Sequence, residues 1–192
     1  MSTSASNGYE AAAKDFIAYR NKSDIGADMV RSWAQTLEPD SAVLDLGCGN
    51  GIPITQALVN EGFKPCAIDA SPTLVDSFRE HFPGLNAACE PVETSDLFGQ
   101  TFDGIVAWGL MFLFSEHAQY RLIHSISSIL NPGGQFLFTS PKQACTWMDV
   151  LTGAESRSLG AEKYQQLLSS AGLTLIRNSI DEGQNYYYIA SK

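Results

Sequence analysis

The strongest constraint on the fold of this chain is an alternation, between residues 41 and 140, of short apolar runs with stretches of helical spacing. The runs at 41–47, 63–70, 85–92, 102–109 and 135–140 are each bounded by turn residues, which predicts strands. Between them, 53–62, 71–82 and 116–130 carry apolar residues at helical intervals. The punctuation agrees. Pro53 suits a first helical turn and Gly62 a C-terminal cap, Ser71 followed by Pro72 suits a helix start, and "NPGG" at 131–134 breaks the chain before the fifth strand. Strands alternating with helices predict a mainly parallel sheet with helices on both faces. A further helix is expected over 160–172. Two β-rich runs around "DEGQN" in 173–191 predict a closing antiparallel hairpin, making seven strands. Residues 9–20 and 26–37 read as helices with no strand before them, an extension packed on the sheet or over its ligand edge. With 192 residues, 44% of them hydrophobic, there is material for one core. The expected layout is therefore a single domain over 1–192: a disordered start at 1–8, a helical extension at 9–40, and an α/β core at 41–192.

Several function classes are disfavoured by composition. Twelve basic residues against twenty-one acidic give a net charge of −9, with no Lys/Arg cluster, the opposite of what gripping nucleic-acid phosphates requires. The most apolar stretch, 104–114, is far shorter than the roughly 20 residues of a membrane helix. The start of the chain lacks the basic and apolar regions of a secretory signal, so a cytoplasmic protein without membrane contact is expected. Cys48, Cys66, Cys89 and Cys145 form no C-x-x-C pair and read as buried reduced thiols. With only three scattered histidines, no metal site is expected.

The first strand runs into "VLDLGCGNGIP" (43–53), with glycines at 47, 49 and 51. Backbone N–H groups in such a turn, ahead of a helix, suit a negative or electron-rich ligand group lying against the chain. A P-loop would need G-x-x-x-x-G-K-[ST], and there is no lysine here. A dinucleotide turn, G-x-G-x-x-G, would place its third glycine at 52, where Ile52 stands. Asp45, two residues before the first glycine, is a poor neighbour for a pyrophosphate and a good one for a cation.

D-x-G-x-G-x-G at the end of a first strand resembles motif I of class I S-adenosylmethionine-dependent methyltransferases. The likeness runs by motif from Val43 to Thr139, and by element order over nearly the whole chain. It implies a Rossmann-like fold with S-adenosylmethionine as cofactor and S-adenosylhomocysteine as product. Gly47, Gly49 and Gly51 would wrap the methionine part, with Asp45 near its ammonium. Asp69, 18 residues beyond Gly51, matches the acid that takes both ribose hydroxyls. The family's adenine-binding positions fall on Pro91, Val92 and Glu93. The first acid is missing, leaving the Val92 N–H and Glu93, with Glu90 as a second candidate. Related enzymes close an N-terminal lid over the cofactor, and Tyr19-Arg20 match it, with Arg20 pairing the cofactor carboxylate.

Methyl transfer is an in-line displacement, in which the protein aligns the acceptor and excludes water, so no catalytic side chain is assigned. After the fourth strand the chain has "AWGLMF", not the [DN]-P-P-[YFW] of many base and glutamine methyltransferases. The one Pro-Cys pair, Pro65-Cys66, opens the second strand, where it cannot serve cytosine methylation. Trp108, Phe112 and, from the long connection 141–160, Trp147 are expected to wall an apolar small-molecule acceptor. Asp149 and Thr152 are further candidates from that connection, and His117 and His124 read as surface or packed helix residues, with a catalytic base as the alternative. Monomer and homodimer stay open. So do a protein or RNA acceptor and a non-catalytic cofactor-binding role.

Overall fold

The structure, a computed structural model, describes residues 5–192. The core begins with β1 (Val43–Leu46), α3 (Ile54–Asn60), β2 (Cys66–Asp69) and α4 (Pro72–His81). It continues through β3 (Ala87–Cys89), β4 (Phe102–Ala107), α5 (Glu116–Ile129) and β5 (Leu130–Thr139). After these come β6 (Cys145–Met148), β7 (Glu155–Ser158), α6 (Ala161–Ser170), β8 (Thr174–Ile180) and β9 (Tyr186–Ser191). Two helices precede the core, α1 (Tyr9–Arg20) and α2 (Ala27–Ala34).

Seven strands form one sheet in the order β3-β2-β1-β4-β5-β9-β8. The first five are parallel. β9 enters antiparallel between β5 and β8, which is the predicted closing hairpin. The strand order reverses at β1/β4, and ligands of open α/β sheets bind beyond the strand ends at such a point.

Side-chain alternation decides what lies on each face. Val43, Val106, Leu137 and Ile189 pack against Val30 and Trp33 of α2 and against Ile54, Ala57 and Leu58 of α3. Leu44, Leu46, Ile105, Phe136, Phe138 and Tyr188 face α5 and α6 through Leu122, Ile123, Ile126, Tyr164 and Leu168. α4 joins through Phe78, beside Ala67 of β2. The caps form as expected: Ser71 accepts the Leu74 N–H at 3.3 Å, with Pro72 opening α4.

Several expectations are corrected. The third strand is three residues long instead of eight. "NPGG" does not precede β5 but lies inside it as a bulge: Leu130 already pairs with Phe102, and regular register resumes at Gly104–Gln135. The connection 141–160 is not a plain loop, because β6 and β7 pair as an antiparallel hairpin. Only Cys48 of the four thiols is buried; Cys66 is half-buried and Cys89 and Cys145 are exposed. Of the start expected to be disordered, residues 1–4 lie outside the described residues, and 5–8 form a turn into α1. No helix among the described residues is long and apolar enough to cross a membrane.

Candidate active site

The glycine turn after β1 is tight for a stated reason. Gly47, Gly49 and Gly51 have φ of 68°, 57° and 83°, a region that L side chains avoid. Each is also covered by a neighbour. A Cβ on Gly47 would stand 2.7 Å from Leu110, one on Gly49 2.8 Å from Phe16 of α1, and one on Gly51 2.3 Å from Phe82. The turn is therefore bare backbone between β1 and α3, on the floor of a cleft at the carboxyl ends of β1, β2 and β4. Asp45, Gly47, Cys48, Gly49 and Ile52 line that cleft from the turn. Asp69 lines it from the end of β2, and Val92 and Glu93 from the loop after β3. Gly51 is a step removed, packed on Phe78 and Phe82, so its part is to shape the turn. Glu90 is not among the lining residues; its carboxylate accepts from the Ser95 hydroxyl.

The two aspartates differ in setting. Asp69 accepts the Gly49 N–H on one oxygen and the Ser71 N–H on the other, both at 2.9 Å. Burial pushes its carboxyl up, and these backbone donors act against the rise. At least two of a carboxylate's roughly four acceptor positions are thus used, and acceptor capacity remains for a ligand. Asp45 is 1% exposed and, among the described residues, accepts one hydrogen bond, from the Thr55 hydroxyl of α3 at 2.6 Å. Burial is the main reason that its carboxyl is pushed up to about 7.

Helix α1 roofs the cleft and is tied down on both sides. Glu10 accepts the hydroxyls of Ser71 and Thr73 and the Thr73 N–H, closing on the positive end of α4. Tyr9 donates its hydroxyl to Asp149, in the turn between β6 and β7, at 3.0 Å. Burial, with the adjacent carboxylate, pushes the Tyr9 hydroxyl up, so it remains a donor. Phe16 rests on Gly49 and meets Tyr9 edge-on at 5.7 Å. At the end of α1, Arg20 is 5% exposed. Its Nε donates to the Ile52 carbonyl at 3.2 Å, and its guanidinium carbon lies 4.2 Å from the Trp108 ring centroid. Tyr19, expected to close with it, is 57% exposed and turned away from the cleft.

Trp108, Phe112 and Trp147 all line the cleft. Phe112 and Trp147 pack at 5.2 Å between centroids and form one apolar wall. Asp149 lines the cleft too, but its carboxylate already accepts from the N–H groups of Leu151 and Thr152, the Thr152 hydroxyl and Tyr9. Thr152 points back at this knot. No histidine lines the cleft: His117 is exposed on α5, and His124 stacks on Tyr120 at 4.4 Å. Tyr9, Glu10 and Phe16 escape sequence reading because the partners that bring them to the cleft are remote in sequence, 33 residues away for Phe16, about sixty for Glu10 and 140 for Tyr9.

This architecture has known counterparts. Residues 43–134 match the family model described as a methyltransferase domain. That stretch of the chain resembles a methyltransferase domain. The fold of the 1,6-didemethyltoxoflavin-N1-methyltransferase of Burkholderia thailandensis, solved with 1,6-didemethyltoxoflavin and S-adenosylhomocysteine, superposes with a TM-score of 0.71. It shares 20% identity, over 97% of this chain and 90% of that one. The ubiquinone biosynthesis O-methyltransferase of Xanthomonas campestris pv. campestris (strain B100) is 28% identical over 130 residues, 64% of this chain and 52% of that protein. The human probable tRNA methyltransferase 9B is 29% identical over 136 residues, 68% of this chain and 27% of that protein. The chain thus spans about half of the first relative's length and about a quarter of the second's.

Proposed function

We propose that the chain is an S-adenosylmethionine-dependent enzyme that methylates a small, flat, partly apolar acceptor. The observation that carries this reading is the α1 roof. Anchored on α4 by Glu10 and on the β6–β7 turn by Tyr9, it covers a cleft with a glycine turn at one end and the Phe112–Trp147 wall at the other. Such an enclosure suits a molecule of small size and excludes water.

The residues fit the cofactor's chemistry. Asp69 has acceptor positions left for the two ribose hydroxyls. The Val92 N–H and Glu93 serve the adenine. The bare backbone of 47–51 takes the methionine part, with Asp45 beneath its ammonium. Arg20 is a buried cation with no ion-pair partner among the described residues, an arrangement that an incoming carboxylate relieves. When bound, S-adenosylmethionine supplies a methyl group already activated on a positive sulfur.

The chain's own part is alignment. Phe112 and Trp147 hold the acceptor against the reacting centre, and the roof keeps water out. Tyr9 and Asp149 are spent on each other, and no imidazole lines the cleft, so the acceptor brings a nucleophile competent near neutral pH, such as an amine or an acidic phenol. An RNA acceptor would have to displace the roof against a net charge of −9.

Thermal unfolding with S-adenosylhomocysteine and, in parallel, with NAD tests the cofactor. Ligand at 100 times its Kd adds about 2.7 kcal/mol, a rise of roughly 5–10 °C for a chain of this size. A rise with NAD alone would refute the reading. Methyl transfer to a panel of aromatic amines and phenols, set against bulk tRNA, tests the acceptor.

A further inference from the structure

Trp108 does more than wall the cleft, because its indole is engaged on its face and on its edge. Arg20 stacks on the face at 4.2 Å. On the edge, the indole N–H donates to the Tyr187 hydroxyl at 2.6 Å, and that hydroxyl donates to Asp181 at 2.8 Å. Asp181 is itself held by the backbone N–H of Asn185 at 2.8 Å and by its side-chain amide. Tyr187 is fully buried and Asp181 is 6% exposed. The joint between α1 and α2 closes over the pair. A Cβ on Gly26 would stand 2.5 Å from the indole nitrogen and 2.9 Å from the Tyr187 oxygen. The Gly26 N–H also donates to Glu182 at 3.3 Å.

The Arg20 side chain, by contrast, makes one hydrogen bond among the described residues, through Nε to Ile52. Its two terminal nitrogens donate to no protein group among the described residues, which leaves the fork that a carboxylate accepts bidentately. A long side chain with that freedom is placed by what it stacks on.

We infer that Tyr187, held by Asp181, is a positioning residue for the cofactor's carboxylate: it pins the Trp108 indole, and the pinned indole holds Arg20 at the methionine end of the cleft. This rests on the carboxylate reading of Arg20 given above. It makes the turn between β8 and β9, on the far side of the sheet's centre from the glycine turn, part of the machinery that recognises the cofactor.

Calorimetric binding of two ligands to the full chain tests it. S-adenosylhomocysteine carries the amino acid; 5′-methylthioadenosine keeps the nucleoside and the thioether without it. Tyr187→Phe is expected to weaken S-adenosylhomocysteine about five-fold, the size of one neutral hydrogen bond. Binding of 5′-methylthioadenosine should stay within about two-fold. In a Trp108→Phe background, which has no N–H to pin, the same substitution should cost nothing further. Equal weakening of both ligands, or additive losses in the double variant, overturns the inference. Arg20→Met separates the two layers. If it leaves the ratio of the two affinities unchanged, the carboxylate reading fails and the inference with it. If it lowers the ratio and Tyr187→Phe does not, the inference alone fails.

Discussion

Asp45→Asn is expected to change the pH dependence of stability by an amount that follows from the environment of one carboxyl. Asp45 is 1% exposed, and burial raises it from 3.8 to about 7, against the Thr55 hydroxyl and Arg20, which favour the charged form. Between pH 3.8 and about 7 the folded chain keeps a proton that the unfolded chain has released. The unfolded state binds fewer protons there, so stability falls as pH rises through that window. At 1.36 kcal/mol per unit the full cost above the window is about 4 kcal/mol, and at pH 5.5 about 2 kcal/mol of it is already present. Relative to wild type, Asp45→Asn should therefore gain about 2 kcal/mol between pH 5.5 and pH 8.5. The amide's own offset, such as an unpaired N–H, does not vary with pH and cancels in the comparison. Urea unfolding of both proteins without ligand, at the two pH values, gives the number directly. Parallel pH dependences would refute the reasoning, since they would mean the carboxyl ionises alike in both states. Saturating S-adenosylhomocysteine should narrow the gap, because an ammonium beside Asp45 stabilises its charged form.

Asp69→Ala should weaken S-adenosylhomocysteine by about ten-fold or more, through lost charge-assisted hydrogen bonds; calorimetry reads this. Gly51→Ala should destabilise the chain by about 2–4 kcal/mol, from the left-handed backbone and the overlap with Phe82 and Phe78. Urea unfolding measures it, and an unchanged midpoint would mean the turn is looser than described. Phe112→Ala and Trp147→Ala should raise the KM of a turned-over aromatic acceptor while leaving S-adenosylhomocysteine affinity unchanged. A parallel loss of cofactor affinity would move the wall to the other end of the cleft.

The order of strands and helices was legible because each element carries its own period and its own punctuation. Ser71-Pro72 starts α4 by local chemistry, and Gly47, Gly49 and Gly51 mark a turn wherever they occur. The half of the cleft proposed to hold the cofactor shares that locality: Asp45 and Asp69 lie at the ends of β1 and β2, and Val92 and Glu93 lie in the loop after β3, at a countable distance before β4. The acceptor half does not. "CTWM" is mostly exposed, and the buried positions of "ESRS" are serines, so neither shows an apolar alternation, and β6 and β7 exist by pairing with each other and not by any pattern of their own. Tyr9 and Asp149 are 140 positions apart, and Trp108 and Tyr187 are 79 apart. Nothing in either local stretch signals the partner. "NPGG" misled for the opposite reason: its breaker chemistry is real, but the sheet absorbs it as a bulge.

The contact between Gly26 and Glu182 sets an order of assembly. The roof helix leaves the ribosome early, yet the turn that braces its joint emerges about 150 residues later, followed by the strand that fills the place between β5 and β8. Until β9 inserts, β5 is a bare edge and Trp108 has no hydroxyl to hold it. The residues that line the cleft, none of them beyond Asp149, therefore all emerge before the strand that completes the sheet beside them. The Trp108–Tyr187 brace forms only when β9 arrives, and a polypeptide stopped before Tyr186 would have the glycine turn without that brace.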